Sequence, residues 1–162
     1  MSATVLKPPA PLRFDRPSVF LAGSIEMGAA APWQDEVTAA LGELDVLVLN
    51  PRRDAWDSSW AQRIDNPQFR EQVEWELEAQ ERASVIAMYF DPNTRAPITL
   101  LELGLFARGG RLIVCCPEGY WRKGNVDVVA ARYGIARAES LDALIVATRG
   151  RLAAQPGSST KG

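Results

Sequence analysis

Short apolar runs alternate with longer amphipathic stretches along this chain. Residues 18–22 (SVFLA), 45–49 (DVLVL), 85–90 (VIAMYF) and 111–116 (RLIVCC) are near-continuous in apolar side chains, and turn residues bound them. That length and composition predict strands buried on both faces of a sheet. Ile135 and its neighbours give a brief fifth strand. Between the runs the period lengthens to that of a helix. Pro32, Pro67 and Pro97 each stand where a first helical turn tolerates proline. The first of these helices runs to about Glu43 and the second to about Arg82, and Gly109-Gly110 closes the third. On the second, Phe69, Val73 and Leu77 step along one face while Glu74, Glu76, Glu78 and Glu81 crowd the others. A fourth helix is predicted over residues 126–133, and Ser140 caps a last one carrying Leu141, Leu144, Ile145 and Leu152.

Strands alternating with helices imply an α/β fold, a doubly wound parallel sheet of about five strands with helices on both faces. The element count favours the flavodoxin-like (Rossmann-like) strand order 2-1-3-4-5. Its switch point lies between the first and third strands, where open α/β sheets bind ligands. That order places Gly23-Ser24, after the first strand, beside the loop from Asp91 and beside Glu102. The glycine and the small serine are read as letting a ligand approach the backbone. A length of 162 residues suits one domain. Its expected limits are residues 18–154, after a proline-rich extended arm (1–17) and before a disordered tail (155–162).

Charge and composition narrow the function. A net charge of -2 gives no electrostatic case for nucleic acid or an anionic membrane. No apolar run approaches the roughly 20 residues of a membrane span. The first residues lack the apolar core of a signal peptide, so a cytoplasmic location is expected. Cys115 and Cys116 are adjacent in an apolar run and read as reduced core residues. The chain has no histidine. A Ser-His-Asp triad, a Cys-His pair and a histidine-based zinc site are therefore unavailable, no metal site is expected, and carboxylates are the natural catalytic groups.

Glu102 stands out because Leu100, Leu101, Leu103, Leu105 and Phe106 surround it. Its place soon after Pro97 suggests that the helix dipole favours the ionised form, which suits a nucleophile. Gly104 would let another group pack closely against the same helix. A second acid, to protonate a leaving group, would come from Asp91 or Glu76; two carboxyl groups flanking a scissile glycosidic bond is the usual logic of sugar transfer. Asp91 reads equally well as the cap of its Asp-Pro-Asn-Thr turn, and Glu76 as a solvated charge. Residues 50–66 (NPRRDAWDSSWAQRIDN) form a long connection without a clean period, as a lid or binding loop would.

The strings VFLAGSI (19–25), NPRRDAWDSSW (50–60), REQVEWELE (70–78), MYFDPNTRAPITLLELG (88–104) and CCPEGYWRKGNVD (115–127) together resemble the nucleoside 2-deoxyribosyltransferase superfamily, and within it the nucleoside 2-deoxyribosyltransferase-like branch. The resemblance implies a flavodoxin-like homo-oligomer without cofactor. It also implies a ping-pong reaction in which a glutamate attacks C1′ of a 2′-deoxynucleoside and a second base, or water, takes the sugar. The nucleophile of the Glu-Leu-Gly motif corresponds to Glu102, the acid to Glu76, and an asparagine lent by a neighbouring subunit to Asn125. The well-studied transferases carry an aspartate six residues before the nucleophile; Ala96 stands there, with Asp91 further back as its possible replacement. Ala-Gly-Ser-Ile is closer to the related deoxynucleoside 5′-monophosphate N-glycosidases, whose serine helps to hold phosphate. Arg52 and Arg53 would add charge-assisted contacts to that phosphate, or else pair with Asp54 and Asp57. Tyr89, Trp56 and Trp60 are candidates to stack on the base, and Asn93 is a candidate substrate contact. A non-catalytic nucleotide sensor on the same crevice is the alternative to both activities.

Overall fold

The computed structural model describes residues 2–25, 32–54 and 57–156. Its elements are β1 (Thr4–Leu6), β2 (Ser18–Gly23), α1 (Trp33–Ala40), β3 (Leu47–Leu49), α2 (Pro67–Arg82), β4 (Val85–Tyr89), α3 (Pro97–Phe106), β5 (Leu112–Cys115), α4 (Lys123–Tyr133), β6 (Ala136–Ala138) and α5 (Leu141–Ala153). The six strands form one sheet in the order β1-β3-β2-β4-β5-β6, parallel throughout. Without β1 this is the flavodoxin-like order expected from the element count. Among the described residues, no helix is long and apolar enough to cross a membrane.

Alternation along the strands sends side chains to two cores. Phe20, Leu47, Leu49, Ile86, Met88 and Val114 meet Trp75 and Ala79 of α2, Leu103 of α3 and Val126 and Ala130 of α4. Val19, Leu21, Val48, Val85, Ala87 and Ile113 meet Trp33 and Val37 of α1 and Leu144 and Leu152 of α5. Both faces of the sheet are thus covered, and this is why the strands are apolar at every position rather than at every second one. Ser18 and Ser84 tie β2 to β4 reciprocally, each hydroxyl accepting from the other residue's N–H at 3.1 and 3.2 Å. Two helix starts follow from their caps: Asn66 accepts from the Phe69 N–H at 3.0 Å ahead of Pro67, and Ser140 from the Ala143 N–H at 3.1 Å.

Two features differ from the expectation. The N-terminal stretch contributes β1, which pairs with β3 through Thr4↔Leu47, Val5↔Val48 and Leu6↔Leu49. The following residues lie on the same domain: the Trp75 indole donates to the Ala10 carbonyl at 2.9 Å, and the Arg82 guanidinium lies 4.2 Å from the centre of the Phe14 ring. The helix expected over 126–133 begins at Lys123, whose ammonium bonds the Cys116 carbonyl at 2.9 Å and Asp127 at 3.1 Å. Those anchors hold a first turn that its glycine and asparagine do not favour alone.

The chain leaves β2 for β3 on one side and later crosses to β4 on the other. The switch point therefore lies at the carboxyl ends of β2 and β4, where Gly23 pairs with Tyr89.

Candidate active site

At the end of β2, Ser24 is 2% exposed, and its main chain continues the ladder by donating to the Tyr89 carbonyl at 3.2 Å. Its hydroxyl oxygen accepts from the Asp91 N–H at 3.0 Å and lies 2.7 Å from the Thr94 hydroxyl. Asp91, also buried, accepts the Asn93 N–H at 2.8 Å, while its carbonyl receives the Thr94 N–H at 3.0 Å. The loop from β4 to α3 is thus a hydrogen-bonded turn locked onto the end of β2. In it Asp91 has the turn-capping geometry that its Asp-Pro-Asn-Thr setting suggests. Asn93 is exposed.

The loop ends on Ala96, the N-cap of α3, which has φ 44° and ψ 55° and is 4% exposed. Left-handed backbone disfavours every residue with a side chain except, in part, asparagine and aspartate. The position that the resemblance compares with an aspartate therefore has left-handed backbone and carries only a methyl. Adding a branch at this carbon has no relief, so Ala96→Val should lower unfolding stability by about 2 kcal/mol, read from the denaturant midpoint.

One and a half turns into α3 comes Glu102. The buried residues of this helix, Thr99, Glu102 and Leu103, form one stripe, which places the carboxyl group inside. Across from it, α2 presents Gln72, Glu76 and Gln80 at intervals of one turn. The Gln80 amide nitrogen donates a short hydrogen bond to Glu102 Oε2 and another, 3.2 Å long, to the Glu76 carbonyl. The Gln72 amide nitrogen donates to Glu76 Oε1 and to the Pro51 carbonyl, both at 2.8 Å. Arg111, at the entry to β5, fixes the end of α2 by donating to the Gln80 and Ala83 carbonyls at 2.6 and 2.7 Å.

Burial and the charge of Glu76 push Glu102 up to about 8, against the hydrogen bond from Gln80. Burial raises Glu76 to about 7, against that from Gln72. This overturns the expectation that the helix dipole keeps Glu102 ionised. The dipole acts over the first turn, Glu102 lies beyond it, and no residue of that first turn is acidic. Loss of water then dominates. Both carboxyl groups are thus held above the ordinary carboxylate range, and the charge of one raises the other, so they titrate as a pair.

Other expected residues fall in different places. A Cβ on Gly23 would meet Trp33 Cζ2 at 2.6 Å and collide with the Tyr89 carbonyl oxygen. Gly23 is thus required by packing between α1 and the sheet, and the space over it is filled by the protein rather than left for a ligand. Gly104 is exposed, and a Cβ there would meet nothing within 4 Å, so it does not admit a closely packed group of this chain. Tyr89 turns to the α1 side, its ring 5.4 Å from that of Trp33 and away from the carboxyl pair. Arg53 pairs with Glu71 at 2.9 Å and lies 5.0 Å from the Trp60 ring centre; its expected partners Asp54 and Asp57 are not used, and Asp54 pairs instead with Lys7. Arg52 is exposed. Asn125 is exposed in the first turn of α4. Trp56, residues 26–31 of the first loop and residues 157–162 of the expected tail lie outside the described residues.

Sequence reasoning missed Gln72 and Gln80. The signal available was their spacing of four residues to either side of Glu76, which puts all three on one helical face.

The fold is a doubly wound parallel α/β sheet, and between α2 and α3 on one of its faces it buries two carboxyl groups, each held by a glutamine. The chain belongs to the nucleoside 2-deoxyribosyltransferase-like family, whose sequence profile matches residues 16–120. No curated protein matches the chain. The matched stretch runs from just before β2 to just beyond β5. It contains Ser24, Glu76, Asp91 and Glu102 but stops short of Asn125.

Proposed function

We propose that this protein cleaves the N-glycosidic bond of a 2′-deoxynucleoside and passes the 2-deoxyribosyl group to a second nucleobase. The observation that carries the reading is the burial of Glu102 against Glu76 within the family-matched stretch. In the first half-reaction a Glu102 carboxylate oxygen bonds to C1′ as the C1′–N bond breaks. The bonding pair leaves with the base, which takes a proton from Glu76. In the second half an acceptor base attacks C1′ of the glutamyl ester, returns its proton to Glu76 and frees Glu102. The proton must reach Glu76 before attack, since Glu102 is a nucleophile only when ionised.

Incubation with a deoxynucleoside should give an intact-protein mass increase of one 2-deoxyribosyl group, carried by the peptide containing Glu102. Absence of that adduct under rapid quench, with substrate being consumed, overturns the covalent route. The hydrolytic reading, a deoxynucleoside or deoxynucleotide N-glycosidase, differs only in the second half, where water replaces the base. What favours a 5′-phosphate is limited to Arg52, exposed on the connection after β3. If free deoxyribose forms at an undiminished rate in excess acceptor base and no new nucleoside appears, hydrolysis replaces transfer.

The same reading includes a homo-oligomer whose neighbouring subunit completes the site, with Asn125 as the lent residue. Its support is an apolar surface on the nucleophile's own helix, where Ile98, Leu101 and Leu105 are 59%, 59% and 55% exposed. Trp121 and Val128 extend apolar exposure to the α4 region that carries Asn125. A single-site Leu101→Arg change should shift the protein to monomer in light scattering and lower activity, while leaving the circular dichroism spectrum intact.

A further inference from the structure

The polar groups around the carboxyl pair do not balance. Each glutamine nitrogen spends both of its hydrogens, one on a carboxylate and one on a main-chain carbonyl. The second bond in each case fixes the amide, because rotating it would place an oxygen against a carbonyl oxygen. Both glutamine oxygens are buried and meet no donor, and the residues themselves are 6% exposed (Gln72) and fully buried (Gln80). Two orphaned amide acceptors beside two carboxylates leave the cluster short of donors, a costly arrangement unless the orientation of the nitrogens matters.

We propose that Gln80 is the positioning residue of the nucleophile Glu102 and Gln72 that of the acid Glu76, so that two neighbouring carboxyl groups hold different roles. The inference rests on the glycosyl-transfer reading above and goes beyond it by naming what separates the roles. Gln80 aims one hydrogen at Glu102 Oε2 from a rigid point, the Arg111-clamped end of α2. That bond stabilises the ionised, attacking form and holds its oxygen in one direction. Gln72 is anchored differently. Its nitrogen bridges Glu76 to Pro51, just past β3, and so ties the acid to the connection that follows that strand. A neutral donor orients a carboxylate without neutralising it as an arginine would. Glu102 therefore stays nucleophilic and Glu76 stays able to hold a proton.

The test uses Gln80→Met and Gln72→Met, which keep length and remove the donor. Each is assayed on a natural deoxynucleoside and on a nitrophenyl 2-deoxyriboside, whose nitrophenolate leaving group needs no proton. Gln80→Met should slow both substrates by about 30-fold or more in kcat with KM little changed, as expected for a misplaced attacking group. Gln72→Met should slow only the deoxynucleoside, by about 10-fold or more, and spare the nitrophenyl glycoside. Equal losses on both substrates in both variants would reduce the glutamines to packing and overturn the proposal.

Carbon-13 titration of the glutamate carboxyl groups supplies a second reading that needs no turnover. Glu102 is acted on by Glu76 and Gln80, and Glu76 by Gln72. Gln80→Met should raise the titration midpoint of Glu102, and Gln72→Met that of Glu76. If the wild-type protein cleaves neither substrate, the transfer reading fails by itself. The pairing of each glutamine with its carboxyl group then stands if these midpoints move separately, and falls if they do not.

Discussion

Glu102→Gln should abolish turnover and, at alkaline pH, make the protein more stable than the wild type. The first effect follows from the role of the carboxylate: without a nucleophile no glycosyl ester forms, and a loss of about 10⁴-fold or more in kcat is the expected scale. The second follows from linkage. Glu102 is held near 8 in the folded protein against an ordinary value of 4.5, and Glu76 is raised to about 7. A carboxyl group whose folded value is raised binds its proton more tightly when folded. Its contribution is therefore fully present below about pH 4.5 and is lost as pH climbs through the folded value near 8. A neutral amide at 102 escapes that loss and can still present its oxygen to the Gln80 nitrogen. Thermal melts should thus show Glu102→Gln above the wild type at about pH 9, with the gap closing toward about pH 4 to 5. A variant less stable than the wild type at both ends would mean that Glu102 is not buried as a carboxylate. Loss of activity together with a gain in stability is what a site that holds charge out of water should give.

Glu76→Gln separates acid from nucleophile. Removing the proton donor should lower turnover of a deoxynucleoside by roughly 10²- to 10⁴-fold. The loss should shrink as the leaving group becomes more acidic, until an activated 2-deoxyriboside is cleaved almost as well as by the wild type. The pH profile checks the same assignment. With the pair titrating near 7 and 8, activity needs the singly protonated pair, so kcat/KM should be bell-shaped with its maximum between those values. In Glu76→Gln only one limb survives, with activity rising as Glu102 ionises. Its midpoint should fall below that of the wild type, because the repelling charge of Glu76 is gone. A profile unchanged by the substitution would remove Glu76 from the mechanism and return attention to Asp91, whose carboxylate caps its own turn.

The sheet was legible from residue pattern because its central strands are buried on both faces, which leaves runs such as VFLAG and VIAMY almost without polar interruption. β1 escaped the same reading. It has only three residues, its middle one is exposed, and prolines follow it, so it pairs without showing a pattern. Glu102 was visible as the one acid in an apolar helix. Its raised proton affinity was not, because that comes first from burial and then from the charge of Glu76 on another helix, and position within α3 says nothing of either. Gln80 was hidden for the opposite reason: among the glutamates of α2 one more polar residue carries no signal until Glu102 is seen facing it. Gly23 shows the same limit, since the demand for glycine comes from the Tyr89 carbonyl on the neighbouring strand and from a tryptophan ten residues later packed over it.

The sheet ends in two strands of three residues each, β1 and β6, and Pro8-Pro9 follows soon after the first. Strands this short, the first of them followed by prolines, are poor templates for a further strand from another molecule. Growth of the sheet across subunits is therefore disfavoured, and the association proposed above is expected through the helical faces. Of these, the α3 face exposes Ile98, Leu101 and Leu105. In the oligomer proposed above, subunit contact through this face and the proposed nucleophile would share one helix, so that quaternary state and the reactivity of Glu102 would be set by the same ten residues.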